Sequence, residues 1–458
     1  MKFQLSCKEK LVTMKKKRNC IVTLSLIIIV VFSGLAQNTI KQKPIIQTKY
    51  TADPAPMVHN DTVFLYTSHD EDDATGFKMK DWLLYTSTDM VNWTEHGAVA
   101  SLKDFSWVKP DNGAWAIQCI ERNGKFYLYA PMHGQGIGVL VSDSPYGPFK
   151  DPLEKRLIET DHLWNDIDPN PFIDDNGQAY LYWGNPDLYY VKLNPDMISY
   201  SGEVVKEPTK PKNYQEGPWV YKHKEHYYLS YASTCCPEGI GYAMSNSPIG
   251  PWEYKGMVVE ASDKTRGNHP GIIYYKGKSY CFGHSYDILK RETATFYERR
   301  SVDMDEIVYN EDGTIKALAY WSEHGPKAVG KINPFKRVEA ETMAWSEGVK
   351  SEKMNQNEVF VIKIDSNDFI EVKEVDFYKE AKKFEVTAAS LKRGKIEIRL
   401  DEKNGPLIGI CDIGSTGDLS TWKEFQCKVK KTKGVHSAFF VFKGDGESLF
   451  NWDWWKFK

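Results

Sequence analysis

Asn165-Asp166-Ile167-Asp168-Pro169-Asn170-Pro171-Phe172-Ile173-Asp174-Asp175-Asn176-Gly177-Gln178-Ala179-Tyr180-Leu181-Tyr182-Trp183-Gly184 reads as acids on a stiff loop, a strand, a Gly-containing turn and a second strand. Pro169 and Pro171 fix backbone φ and bias the residues before them toward extended conformations. A carboxylate at Asp168 is thereby kept from swinging freely into solvent. Taken singly, Asp168 fits a plain turn-forming role equally well, as Asp before Pro often does. Recurrence along the chain favours the functional reading.

Four further segments repeat the polar turn and aromatic strand: His59–Tyr66, Arg122–Tyr129, Lys222–Tyr231 and Tyr275–Phe282. A second motif follows several of them. Ile137-Gly138-Val139-Leu140-Val141-Ser142-Asp143-Ser144-Pro145-Tyr146-Gly147-Pro148-Phe149 matches Ile240-Gly241-Tyr242-Ala243-Met244-Ser245-Asn246-Ser247-Pro248-Ile249-Gly250-Pro251-Trp252, with a looser copy at Leu83–Trp93. A spacing of roughly 50 to 60 residues, with four short strands per unit, is a propeller period rather than that of a helical solenoid. The fold class predicted is all-β: a five-bladed β-propeller over residues 37–331, then a β-sandwich of jelly-roll type over 335–458. The joint falls around Gly330–Pro334, where the pattern changes to short alternating strands such as Lys395–Leu400.

Composition narrows the function classes. A net charge of −3 with no basic stripe beyond the N-terminus excludes a nucleic-acid footprint. Fourteen Trp and 26 Tyr exceed ordinary core needs and suit flat amphipathic ligands such as sugars. Lys15–Arg18, the apolar run Ile21–Phe32 and Ser33–Gln37 form the three parts of a secretory signal over residues 1–36, cleaved after Ala36. The run is short for a membrane span, which needs about 20 residues. The expectation is a secreted or periplasmic monomer with no membrane attachment after cleavage. Six cysteines remain past the signal, too few for a disulfide scaffold. They read mainly as buried thiols, and the pairing of Cys235-Cys236 stays open.

Propeller ligands gather at one mouth of the channel, on the loops that lead into each blade's innermost strand. Blade one offers Ala52-Asp53-Pro54, blade two Gly113-Ala114-Trp115-Ala116 and blade three Asp166-Ile167-Asp168-Pro169. Blade four offers Tyr214-Gln215-Glu216-Gly217-Pro218-Trp219, and blade five Gly267-Asn268-His269-Pro270. A hairpin needs no acid at that offset, so turn chemistry explains the set poorly. Glycosidic hydrolysis needs a proton donor and a base on opposite sides of a sugar. Glu216, between Tyr214 and Trp219, is the candidate acid, its pKa raised by desolvation. Asp53 is the candidate base. Asp168 would hold Glu216 protonated and oriented. Blades one and four lie across the channel, a wide separation that predicts inversion.

These three motifs at this spacing resemble glycoside hydrolase family 43, the inverting five-bladed-propeller glycosidases. The resemblance implies base, tuning and acid roles for Asp53, Asp168 and Glu216. It also implies a pocket histidine at His269 and a pocket arginine at Arg300, with Arg299 the neighbouring candidate; Trp115 joins them as a substrate-binding residue. A channel calcium ion near His284 is implied too, against the alternative of a packed core histidine. Glu339-Ala340-Glu341, Gly405–Gly409 and Asn451–Phe457 resemble carbohydrate-binding module family 6. That likeness implies a structural calcium at Glu339, Glu341 and Asp453, and sugar stacking on Trp422 beside Asn451. Lys363 stands where the family often has a second stacking aromatic, and Trp452, Trp454 and Trp455 fit core packing as well as binding. No organic cofactor is expected.

The leading reading is a hydrolase that removes α-L-arabinofuranosyl side chains from arabinoxylan-type hemicellulose, with plant cell-wall arabinoxylan or xylan as its partner. β-1,4-Xylosidase or another pentose-releasing exo-glycosidase is the alternative. A non-catalytic glycan-binding propeller is the competing class, and a surface scaffold a third.

Overall fold

Paired left-handed residues close three of the first hairpins: Asn60-Asp61, Asn123-Gly124 and Lys276-Gly277, with φ between 47° and 84°. This is the turn chemistry that matches strand twist. The computed structural model describes residues 43–160, 166–355 and 358–458; the signal segment and Asn165 lie outside the described residues. No helix among the described residues is long and apolar enough to cross a membrane.

Blade one comprises β1 (Tyr50–His59), β2 (Thr62–Asp70), β3 (Asp81–Ser87) and β4 (Trp93–Ser101). Blade two has β5 (Gln118–Arg122), β6 (Lys125–Met132) and β7 (Gly136–Ser142), edged by single bridges from Lys150 and Ile158. Blade three has β8 (Asn170–Ile173), β9 (Ala179–Trp183), β10 (Tyr189–Leu193) and β11 (Tyr200–Lys206). Blade four has β12 (Tyr214–His223), β13 (His226–Ser233), β14 (Glu238–Ser245) and β15 (Glu253–Ser262). In blade five β16 (Gly271–Tyr275) and β17 (Lys278–Ser285) are followed by α1 (Asp287–Glu292), β18 (Ser301–Tyr309) and β19 (Ile315–Lys316). All pairings within the blades are antiparallel. The first strands pack around one axis in chain order, and β16 returns against β1 to close the ring.

The repeated Ser-Pro motif has a structural use. Tyr66 Oη in blade one donates to the Pro145 carbonyl of blade two at 2.6 Å, and Tyr182 Oη in blade three donates to the Pro248 carbonyl of blade four at 2.5 Å. A buried tyrosine needs a partner for its hydroxyl, and the motif of the next blade supplies it.

The C-terminal domain is one large antiparallel assembly. Its strands include β20 (Val338–Glu339), β22 (Trp345–Glu347), β23 (Lys350–Asn355) and β24 (Glu358–Ile362), while β21 (Thr342–Met343) leaves it to join blade one. Longer strands complete it: β25 (Phe369–Ala389), β26 (Gly394–Leu400), β27 (Leu407–Ile413), β28 (Lys423–Gly444) and β29 (Asn451–Phe457). Trp452 and Trp455 are fully buried in its core with Phe384, Phe440 and Phe457. Residues 330–334, where the sequence pattern changes, are bound to this sheet. Ile332 N–H donates to Glu374 O and Phe457 N–H to Pro334 O, at 2.9 and 2.7 Å. Strand β21 pairs with β4, so the second domain extends blade one directly.

Candidate active site

Each acid reaches the channel through a local break in regular strand geometry. Asp53 has φ of 50° and lies where the β1–β2 register slips between Ala52 and Ala55. Asp168, just ahead of β8, has φ of 59°. Glu216 sits between two register shifts in β12, and Gly217 after it has φ of 61°. The residues preceding Pro54, Pro169 and Pro218 are therefore left-handed, where the proline bias predicts extended backbone. The surrounding sheet overrides that preference, at a cost of about 1–2 kcal/mol for each non-glycine residue. Gly217 also makes room: a Cβ there would come within 2.8 Å of the His269 ring.

His269 on the blade-five loop joins the three carboxylates. Its Nδ1 lies 3.6 Å from Asp53 Oδ1, and its Nε2 lies 3.6 Å from Asp168 Oδ2 and 3.5 Å from Glu216 Oε1. With one imidazole between them, Asp53 and Glu216 are separated by no more than roughly 9 Å, within the limit for two carboxyls that work across one sugar. Burial works against charge on the ring, but Asp168, Asp53 and Glu216 together hold its pKa up at about 10. The three acids thus favour the charged form of the ring. Asp168, Glu216 and His269 offer atoms close enough to share a metal ion, but a metal ligand must be the neutral ring.

Arg300 is buried and fully used. Nη1 donates to Asp53 Oδ1 at 2.8 Å, while Nε and Nη2 grip Asp70 at 3.0 and 2.9 Å. Ser68 Oγ donates to Asp53 Oδ2 at 2.7 Å. Burial alone would raise the Asp53 pKa, but Arg300 and then His269 outweigh it and hold the carboxyl below its usual range. Asp168 moves the other way. Burial pushes it up to about 7 against the pull of His269, with Glu216 and Asp53 adding to the rise. The Gly217 N–H donates to Asp168 Oδ2 at 3.1 Å and fixes its orientation.

Glu216 is the most open of the three acids, its side chain 19% exposed against 4% for Asp53 and Asp168. Asn185 Nδ2 donates to its Oε2, and Gln215 Nε2 donates to Asn185 Oδ1 at 2.9 Å. The flanking aromatics have other partners. Tyr214 Oη donates to Gly184 O and Trp219 Nε1 to Ile272 O. The polar partners of Glu216 are thus Asn185 and His269, because the bulged backbone turns it toward the axis.

A cavity of about 310 Å³ holds the three acids, Trp115, His269 and Arg300. Trp115 stacks on His133 at 4.0 Å and, partly exposed, lines the cavity. Phe77 at the rim is 46% exposed and packs over Arg300 and Trp115. Sequence reading missed Asp70, Phe77, Asn185, Gln215, Glu238 and Arg266. Gln215 was in a quoted motif. The others sit at strand ends or outside any repeat, where only the closed ring shows their proximity.

His284 is wholly buried, and burial followed by Arg300 pushes its pKa down to about 3. Its Nε2 meets Arg266 O at 2.7 Å, which places the proton there, and Nδ1 has no partner among the described residues. In the second domain Arg337 Nε donates to both Glu339 oxygens at 2.8 and 2.9 Å, and Arg337 Nη2 lies 3.3 Å from Asp453 Oδ1. Glu341 Oε2 is buried without a partner, and burial lifts that carboxyl well above its ordinary range. Asp453 is raised to about 6 by burial. Trp422 packs edge-on against Phe360 at 5.2 Å, and Asn451 Nδ2 donates to Leu419 O on the Trp422 loop at 3.0 Å.

The family model for glycosyl hydrolases family 43 matches residues 41–315, and that for carbohydrate binding module family 6 matches residues 339–458. An arabinoxylan arabinofuranohydrolase of Bacillus subtilis is 31% identical over 92% of this chain and 93% of its own. A xylosidase/arabinosidase of Bacteroides ovatus is 30% identical over 58% of this chain and 94% of its own. Among solved structures, an arabinoxylan arabinofuranohydrolase from Bacillus subtilis in complex with cellotetraose superposes with a TM-score of 0.80 at 31% identity. That match covers 91% of this chain and 97% of the other.

Proposed function

Because the chain belongs to glycosyl hydrolase family 43 and carries a family 6 carbohydrate-binding module, we propose that it removes α-L-arabinofuranosyl side chains from arabinoxylan by inversion. The carrying observation is the convergence of three acids of unlike environment on His269, each within 3.6 Å of its ring nitrogens. Asp53, kept ionised by Arg300 and Ser68, takes a proton from the attacking water. Glu216, the more open acid, protonates the leaving oxygen. Asp168, which burial favours in its protonated form, orients its neighbour through Gly217 and His269. Trp115 and Phe77 offer apolar surface to the sugar rings. The likeness over both domains to an arabinoxylan arabinofuranohydrolase favours arabinose as the released sugar; the xylosidase/arabinosidase relative keeps β-xylosidase as the second reading.

Incubation with arabinoxylan and with unbranched xylo-oligosaccharides decides between them. Arabinose alone is expected, and free xylose from the unbranched oligomers would reverse the order. In Glu216→Gln, turnover should drop by about 10²–10⁴-fold with sugar binding retained, whereas a purely glycan-binding propeller would show no change in any property.

We also assign calcium to the second domain. Arg337 pairs with Glu339 and Asp453 in this structure, so calcium would enter beside Glu341, whose buried oxygen lacks a partner, with Arg337 released. His284 Nδ1 supplies a single lone pair in the channel, so an ion there would take its other ligands from water. When bound, the metal supplies counter-charge and rigidity. Chelation should lower the melting temperature by about 2–4 °C or more, reversed by added calcium; an unchanged melt removes the assignment. Export by the N-terminal segment and a monomeric state complete the proposal.

A further inference from the structure

Cys235 and Cys236 are neighbours in the connection between β13 and β14, both exposed, and their sulfurs are bonded to each other. Cys235 lines the catalytic cavity. Both ends of the connection are pinned. Thr234 N–H donates to Asn213 O at 2.9 Å, and Glu238 accepts from the Gly267 and Asn268 N–H groups at 2.7 Å each, just ahead of His269. The pair is therefore fixed between the strand bearing Glu216 and the loop bearing His269. Among the described residues, Cys119, Cys281 and Cys411 are buried and Cys427 is half-buried, none of them bonded.

The cavity lining is uneven. Phe77, Met79 and Trp115 give it an apolar side from blades one and two, while Gln215, Glu216, Glu238 and Arg266 make the opposite side polar. Cys235 adds apolar surface to that polar side. Joining two adjacent sulfurs closes a small ring, removes two side-chain rotors and leaves polarisable sulfur with no proton to donate. Such a surface packs against the C–H face of a sugar while Gln215 and Arg266 meet its hydroxyls.

We propose that the Cys235–Cys236 disulfide is a sugar-binding wall of the catalytic cavity and that its redox state sets substrate affinity. The identity of the sugar rests on the glycosidase reading above. In closing the wall, the two thiols pass two electrons and two protons to an oxidising disulfide, which leaves as two thiols; a dithiol or a trialkylphosphine with water reverses the step. The reduced pair is two freely rotating thiols and no longer a wall.

The test uses the full-length protein equilibrated with excess low-molecular-weight disulfide, half of it then treated with a trialkylphosphine. Both halves are alkylated with iodoacetamide and mapped by mass, titrated with arabinose and xylose by tryptophan fluorescence, and assayed on a pentoside. Cys235 and Cys236 should be alkylated only after reduction. Reduction should raise the sugar Kd and KM on the order of tenfold, the cost of losing one apolar contact, with the loss falling on KM rather than kcat. The double variant Cys235→Ala/Cys236→Ala should show the raised values and ignore the phosphine. Alkylation without reduction overturns the proposal. So does sugar affinity that is indifferent to both treatments, or an absence of sugar binding in either state. A protein that releases no pentose, yet whose sugar affinity follows its redox state, overturns the glycosidase reading alone.

Discussion

Asp53 stays charged in a buried place because Arg300 spans it and Asp70, and His269 stays charged because three acids surround it. Removing any one member changes the proton affinity of the rest. His269, raised from 6.5 to about 10, contributes stability that is complete below pH 6.5 and is lost as pH rises toward 10. Asp168, raised from 3.8 to about 7, binds its proton more tightly in the folded state, so its contribution falls as pH rises through that window. Both signs place the stability optimum on the acid side of neutrality. The alkaline limb of kcat/KM, set by deprotonation of Asp168, should fall near pH 7. In His269→Gln the carboxyls lose their cation and ionise less readily, so that limb should move to higher pH. A limb that stays in place or moves down would show that His269 is uncharged.

At the scale of the element, the acids depend on faults built into the innermost strands. A regular strand alternates its side chains between faces, and only a bulge or a left-handed residue can turn one toward the channel axis. Gly217 carries the heaviest demand, with φ of 61° and the His269 ring against its α-carbon. Gly217→Ala should lose about 1–2 kcal/mol of stability for its backbone. Displacement of His269 by the new methyl should cost roughly 10²-fold in kcat. Activity thus suffers out of proportion to stability, as a denaturation curve and steady-state rates on the same sample would show. Equal, small losses in both would mean that the ring has room to yield.

Across the whole molecule, the two domains share a sheet and a buried polar seam. Thr48 and Ser351 both donate to Glu95 Oε2, at 2.8 and 2.7 Å, and β21 pairs with β4 beside them. Asn92 exchanges hydrogen bonds with the backbone of Lys373. Glu95→Ala leaves both hydroxyls without their acceptor and should cost about 1–3 kcal/mol, felt by both domains as one unfolding transition. Two separate transitions in calorimetry would show that the seam is passive.

The order of blades, the hairpin turns and the three acids were legible in the sequence because each rests on local grammar repeated at a regular interval. Asp53, Asp168 and Glu216 stood out since an acid stands one or two residues ahead of a proline in each of three equivalent loops. Asp70 and Asn185 carried no such mark, because their roles arise from neighbours distant in the chain. Proline preference also misled: it predicts extended backbone at Asp53 and Asp168, and the closed ring imposed the left-handed one. Sequence by itself determined the repeat, and with it the fold and the kind of chemistry. Only the tertiary structure decided which carboxyl is charged, since a proton's affinity is set by burial and by charges brought within a few ångströms, and neither quantity exists until the ring closes.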